Sequence, residues 1–257
     1  MKNLNWRLLK FSVNNASMNM AIDEAIFHYY TEDTIRLYGW KPSAVSIGKH
    51  QQISREVDLD SLEKLGFDCV RRISGGGAVF HDEVGEVTYS VVTKVHNLES
   101  MTIDESYFEI SQVVFRPLEK LGLTLDYGQI HCPSVFSKGK KISGNAQSRQ
   151  KDIILQHGTI LIKFRPEIMY SVLKARPGRT RESMIESVYQ HITTLAESLD
   201  DDLSPSRVAE YLIRYLVETS SSQSYIGELT EKEQELAIKL ASTKYKSKEW
   251  LFKGSLL

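Results

Sequence analysis

The segment "RRISGGGAVFHD", residues 71–82, constrains this chain more than any other. Three successive glycines are costly in an ordered stretch, because glycine loses the most backbone freedom on folding. Gly75, Gly76 and Gly77 follow one strand-like run, "FDCVRR", and precede another, "EVTYSVVT". They read either as a strand-to-strand turn or as a turn whose backbone N–H groups approach a bound anion or acyl carbonyl. The segment lacks both the lysine-and-hydroxyl ending of a phosphate-binding loop and GxGxxG spacing, so a generic nucleotide motif is not supported. Its neighbours favour a ligand. Arg71 and Arg72 alternate faces on a strand, so one reaches into a cleft while the other serves the outside. Ser74, His81 and Asp82 add polar groups on either side.

Around this turn the pattern mixes helices, strands and hairpins, which fits α+β better than a regular βαβ series. "SMNMAIDEAIFHYY" has helical apolar spacing, and "VDLDSLEKLG" reads as a second helix closed by Gly66. "TIRLYGW" and "AVSIGKH" are short strands separated by a turn at Pro42. "DESYFEISQVVFRPLEKLG" is a long amphipathic helix with Pro117 as a kink or break. "SVFSKGKKISG" carries a hairpin signal at Lys138-Gly139, "SGNAQ" reads as another small-residue turn, and "DIILQHGTILIKF" as a long strand. Beyond Glu167 the chain turns mostly helical. A basic loop, "KARPGRTRES", interrupts it, and "SLDDDLSP" and "ETSSSQSYIG" read as exposed linkers.

Composition narrows the classes. The 257 residues are 41% hydrophobic and 25% charged, enough to bury a full core. A net charge of −1 argues against a nucleic-acid partner, since there is no basic excess to release counterions. No apolar run reaches membrane-span length, and the N-terminus has no secretory hydrophobic region. Two cysteines without CxxC spacing read as free thiols in a cytoplasmic protein. No HxH or HExxH spacing occurs, so no metal site is expected. Cys69 is a small core thiol. Cys132 sits beside His131 in a loop entering a strand, where a nearby lysine could raise its thiolate fraction. Lys140 and Lys141 alternate faces, so only one points inward. Gln156 and His157 interrupt an apolar strand, and a histidine there is more often a hydrogen-bonded core residue than a catalytic one.

Together these residues resemble the lipoate–protein ligases and the related octanoyl and lipoyl transferases. "NMAIDEAI", "IRLYGWKPSAVSIGKHQ", "VRRISGGGAVFHD", "KKISGNAQSRQKDIILQHGTIL" and "TKYKSKEW" occur in family order. The resemblance implies the α+β biotin/lipoate–protein ligase-like fold, a mixed sheet with flanking helices. Residues 1–200 would form the catalytic domain, and 201–257 a helical segment packed on it. It implies an acyl or adenylate site lined by Arg72, Ser74, Gly75, Gly76, Gly77, Ala78, Val79, Phe80 and His81, with Gly144, Ala146, His157 and Gly158 across from them. Lys141 matches the family's active-site lysine. The strands around Val79 and Ile154 could supply an apolar tunnel.

The family divides into two mechanisms, and both leave traces here. Ligases activate free lipoate with ATP and Mg2+ through an adenylate. Cysteine transferases take the acyl group from octanoyl acyl carrier protein as a thioester and need no cofactor. The triple glycine is ligase-like. "SGNAQSRQKDIILQHGTIL" and Cys132 favour the transferase, and the Asn-Asp pair of ligases near "PSVF" is missing. The favoured reading is transfer through Cys132 to a lysine of a lipoyl-domain protein, either glycine cleavage H protein or a 2-oxoacid dehydrogenase E2. A non-catalytic lipoyl-domain binding module and a biotin ligase are the other classes.

Overall fold

The computed structural model describes residues 5–99, 102–128, 133–199, 201–219 and 224–255. Strand β1 (Arg7–Asn14) leads into helix α1 (Ala16–His28), where the Asn15 side chain accepts from the Met18 N–H at 2.9 Å. This cap satisfies a helix-start donor and sets the boundary. Strands β2 (Thr34–Trp40) and β3 (Ala44–Ile47) then part into different sheets at the Pro42 turn. Two short helices follow, α2 (Ile53–Glu56) and α3 (Leu59–Lys64). Asp58 caps α3, and Gly66 takes φ +67 beyond it, as the helix-then-glycine pattern predicts.

Next come β4 (Asp68–Arg71), β5 (Val79–His81) and β6 (Glu86–Lys94), and then α4 (Ile103–Glu119), which Thr102 and Glu105 cap reciprocally. Pro117 does not end α4 where it stands. It sits in the last turn, which ends two residues later. Strands β7 (Leu125–Tyr127), β8 (Ser134–Ser137), β9 (Lys140–Gln150) and β10 (Ile153–Leu161) form a meander. Lys138 and Gly139 take φ 49 and 78 between β8 and β9, so the hairpin signal is met. "SGNAQ" is not a turn. It runs through the middle of β9, where Ser143 and Gly144 pair with β8 and Asn145, Ala146 and Gln147 pair with β10.

The remaining elements are α5 (Pro166–Val172), α6 (Arg181–His191), α7 (Leu195–Leu199), α8 (Pro205–Thr219), β11 (Tyr225–Gly227), α9 (Glu231–Leu240) and α10 (Lys248–Lys253). The stretch "ETSSSQSYIG", whose composition reads as a linker, contains β11, which pairs parallel with β1 through Tyr225–Arg7 and Ile226–Leu8. A three-residue strand with two of its residues exposed and the third a glycine leaves too weak a periodic signal to be read from sequence.

The strands form an α+β arrangement. An eight-stranded mixed sheet runs β11-β1-β2-β6-β10-β9-β8-β7, and a three-stranded sheet runs β4-β3-β5. Every residue of β2 and β3 is buried, the mark of strands covered on both faces. On one face of the large sheet Leu37, Tyr89 and Ile142 pack against Phe115 of α4 and Leu212 of α8. On the other, Tyr38, Val92 and Leu155 pack against Ile26 of α1 and Ala237 of α9. The small sheet has its own core with α3 and α5. Among the described residues no helix is long and apolar enough to cross a membrane.

Candidate active site

The glycine turn joins β4 of the small sheet to β5, and it faces β9 and β10 of the large sheet across a cavity of about 440 Å3. That volume lies within the ~300–1,000 Å3 usual for small-molecule sites. Arg72, Gly76, Gly77, Ala78, Val79 and His81 line one side. Lys141, Gly144, Ala146, His157 and Gly158 line the other. Met20 and Trp40 add apolar wall. Four expected positions lie elsewhere. Phe80 turns into the small-sheet core, as alternation between Val79 and His81 requires. Ile154 is fully buried in the large core and forms no tunnel wall. Ser74 and Gly75 stand behind the lining and bond to it. Cys132 and His131 lie outside the described residues.

Lys140 and Lys141 separate as strand alternation predicts. Lys140 donates to the Tyr189 carbonyl at 3.0 Å on the surface, while Lys141 reaches the cavity. A Cβ on Gly144 would meet the Lys141 ammonium at 3.1 Å, so the glycine leaves room for it. Two other glycines are held by close approach. A Cβ on Gly158 would lie 2.0 Å from Asn145 Oδ1. One on Gly48 would lie 2.1 Å from the Gly76 carbonyl oxygen. Gly76 itself takes φ +89, which disfavours any side chain. The turn therefore has both a special backbone and a close neighbour. Among the described residues, the backbone N–H groups of Gly75, Gly76 and Gly77 reach no protein acceptor.

Both arginines are buried, so neither serves the solvent. Arg71 donates to the carbonyls of Gly48, Lys49 and Gln51 on one side and of Trp250, Leu251 and Phe252 on the other. It ties α10 to the base of the turn. Arg72 points the opposite way, into the site. Burial draws it down to about 10, which leaves it a cation at neutral pH.

His157 has its Nε2 at 2.6 Å from Ser74 Oγ and its Nδ1 at 3.4 Å from Asp23 Oδ2. Burial lowers its pKa and the Arg72 charge adds to this, against the opposing pull of Asp23. Burial works to raise the Asp23 carboxyl. The hydrogen bond from His157 and the charge of Arg36, 2.7 Å away, overcome that and hold it below the usual carboxylate range. His81 pairs with Ser46 Oγ at 2.8 Å and Glu86 Oε1 at 2.7 Å, and stacks on Trp40 at 3.9 Å. Asp23, Arg36, Ser46 and Glu86 do not stand out in the sequence as site residues. Their signal is polarity at core positions: Asn19 and Asp23 share the buried face of α1, and Arg36 sits in a wholly buried strand. Cys69 behaves as a core thiol, pushed up to about 12 by burial. Among the described residues no three His, Cys, Asp or Glu side chains gather as a metal site.

A glycine turn and a lysine face each other across a part-apolar pocket between two sheets. Residues 15–217 match the lipoyl protein ligase A/B catalytic domain, and the chain belongs to that family. It is 36% identical to octanoyltransferase LipM of Kyrpidia tusciae, covering 96% of this chain and 98% of that protein. It is 31% identical to octanoyltransferase LipM of Anoxybacillus flavithermus over the same shares. Among solved structures it resembles the bipartite lipoate protein ligase of Thermoplasma acidophilum, studied with its E2 lipoyl domain, with a TM-score of 0.85 and 30% identity. That likeness covers 99% of this chain and 98% of the other. A lipoate-protein ligase A bound with ATP follows the same fold, with a TM-score of 0.81 and 29% identity over 97% and 99% of the two chains.

Proposed function

We propose that this protein is an acyltransferase that moves an octanoyl group from octanoyl acyl carrier protein, or a lipoyl group from the corresponding lipoyl thioester, to a lysine of a lipoyl-domain protein, with Cys132 holding the group between the two steps. One observation carries the reading. Lys141, the glycine turn and Pro133, the residue after Cys132, line the same part-apolar cavity. A cation near the thiol raises the thiolate fraction. The thiolate attacks the donor thioester carbonyl, and the carrier thiol leaves with a proton. The neutral acceptor amine then attacks the acyl-enzyme, forming the amide and releasing the Cys132 thiol. Turn amides without protein partners suit the oxyanion of each step. Exchange between thioesters is nearly balanced, so no nucleotide is required. Glycine cleavage H protein and 2-oxoacid dehydrogenase E2 are the acceptor class, and the reaction belongs to the cytoplasm.

The test combines pure protein, octanoyl carrier protein and apo lipoyl domain without ATP. Transfer is expected, with a hydroxylamine-labile octanoyl adduct on Cys132 by mass spectrometry. Cys132→Ser should fail to turn over, because its ester is a poorer donor to an amine. The likeness to an ATP-bound ligase supports a second reading, ligation through an adenylate with ATP and Mg2+. Full ATP-dependent lipoylation by Cys132→Ala would establish that reading instead.

A further inference from the structure

Arg72 has five N–H groups, and the protein uses all of them. Nε donates to Ser74 Oγ at 3.2 Å. Nη1 donates to the Ser46 carbonyl at 3.1 Å and to Ser46 Oγ at 3.2 Å. Nη2 donates to the carbonyls of Gly75 and Gly77, both at 2.7 Å. The turn is wrapped around the guanidinium so closely that a Cβ on Gly76 would lie 3.0 Å from Nη2. No donor remains to meet a ligand.

The two serine hydroxyls are oriented from behind by matching chains. His81 Nδ1 faces the Glu86 carboxylate and His157 Nδ1 faces that of Asp23, so in each neutral ring Nδ1 carries the proton. Each Nε2 is then an acceptor and takes the hydroxyl proton of Ser46 or Ser74. Both hydroxyl oxygens are left with lone pairs for Arg72. Glu86 is held in turn by Thr88, which accepts from the Trp40 indole N–H at 2.7 Å.

We propose that Arg72 is a positioning residue, a clasp that holds the glycine turn through the Gly75 and Gly77 carbonyls, so that the turn's own amides and not the guanidinium meet the acyl carbonyl. The Glu86–His81–Ser46 and Asp23–His157–Ser74 chains keep the clasp's acceptors aimed. This rests on the acyl reading of the cavity, and it differs from the expectation that the arginine itself offsets charge on the ligand.

The test uses 15N-labelled wild-type protein. Without ligand, the imidazole 15N shifts of His81 and His157 should report the Nδ1–H tautomer in both rings, and an Nε2–H form in either would overturn the chains. On titration with octanoate, the amide signals of Gly75, Gly76 and Gly77 should move while the Arg72 Nε–H signal stays. Movement of Arg72 Nε–H with still glycine amides would overturn the clasp and leave the acyl site standing. No movement in either set would overturn the acyl reading, and the clasp with it. Arg72→Lys keeps the charge but not the five-way fork, so kcat should fall ~100-fold, the scale of a 1 Å misplacement. The Michaelis constant for the donor should change little. Retention of a tenth or more of the wild-type kcat would show that charge suffices and refute the clasp.

Discussion

Replacing Gly48 with alanine drives a methyl group into the glycine turn. Its carbon would sit 2.1 Å from the Gly76 carbonyl oxygen and 3.1 Å from the carbonyl carbons of Gly75 and Gly76, where ordinary contact begins at 3.4 Å. The obstructing atoms are backbone, held from the other side by Arg72, so no side-chain rotation relieves the clash. The turn must retreat by more than about 1 Å, and overpacking of this kind costs ~1–3 kcal/mol. At ~2–4 °C per kcal/mol for a chain of this size, the Tm should fall by roughly 2–12 °C. Catalysis should suffer more than stability, because a 1 Å misplacement at a reacting centre costs ~100-fold in rate. Thermal unfolding and octanoyl transfer on the same preparation measure both. Gly75→Ala is the stability control: its Cβ would meet nothing within 4 Å and its φ lies outside the left-handed region, so the change should stay within about 0.5 kcal/mol. A Gly48→Ala protein with wild-type Tm and wild-type turnover would refute the packing argument.

Three further outcomes follow from named contacts. Lys141→Ala should abolish transfer while Lys140→Ala retains most of it, since only Lys141 lines the cavity; equal losses in the transfer assay would count against the assignment. Glu233, fully buried, grips Arg7 through two hydrogen bonds of 2.7 and 2.9 Å, so Glu233→Ala should cost ~3–5 kcal/mol in urea unfolding by stranding the guanidinium. His157 has its folded-state pKa below the unfolded value, so its contribution is fully present above about pH 6.5 and is lost as the unfolded chain takes up a proton below that. Wild-type stability should therefore decline from pH 7 to pH 5, and His157→Gln should flatten part of that slope.

Much of the site could be read from residue order because its backbone requirements are local. The triple glycine, the Lys138-Gly139 turn and the alternation of Lys140 with Lys141 each depend on a few neighbouring dihedral angles. The misreadings share a cause. "SGNAQ" looks like a turn by composition, yet it runs on as strand because β8 pairs with Ser143 and Gly144, and β10 with Asn145, Ala146 and Gln147. Arg71 looks solvated by alternation, yet six carbonyls from two distant segments close over it. β11 is too short to show a period, and β1 alone makes it a strand. In each case a long-range partner outweighed the local pattern.

By itself the sequence determined the α+β class, the family, the glycine turn and the lysine that faces the cavity, because turn chemistry, strand period and motif order are properties of short stretches. Only the tertiary structure decided what Arg72 does. Its five acceptors come from Ser46, Ser74, Gly75 and Gly77, and the hydroxyls among them are aimed by histidines on β5 and β10. A guanidinium bonds to whatever acceptors the packed chain brings within about 3 Å, and here those lie up to 26 residues from Arg72, at Ser46, while the histidine that aims Ser74 lies 83 residues from it.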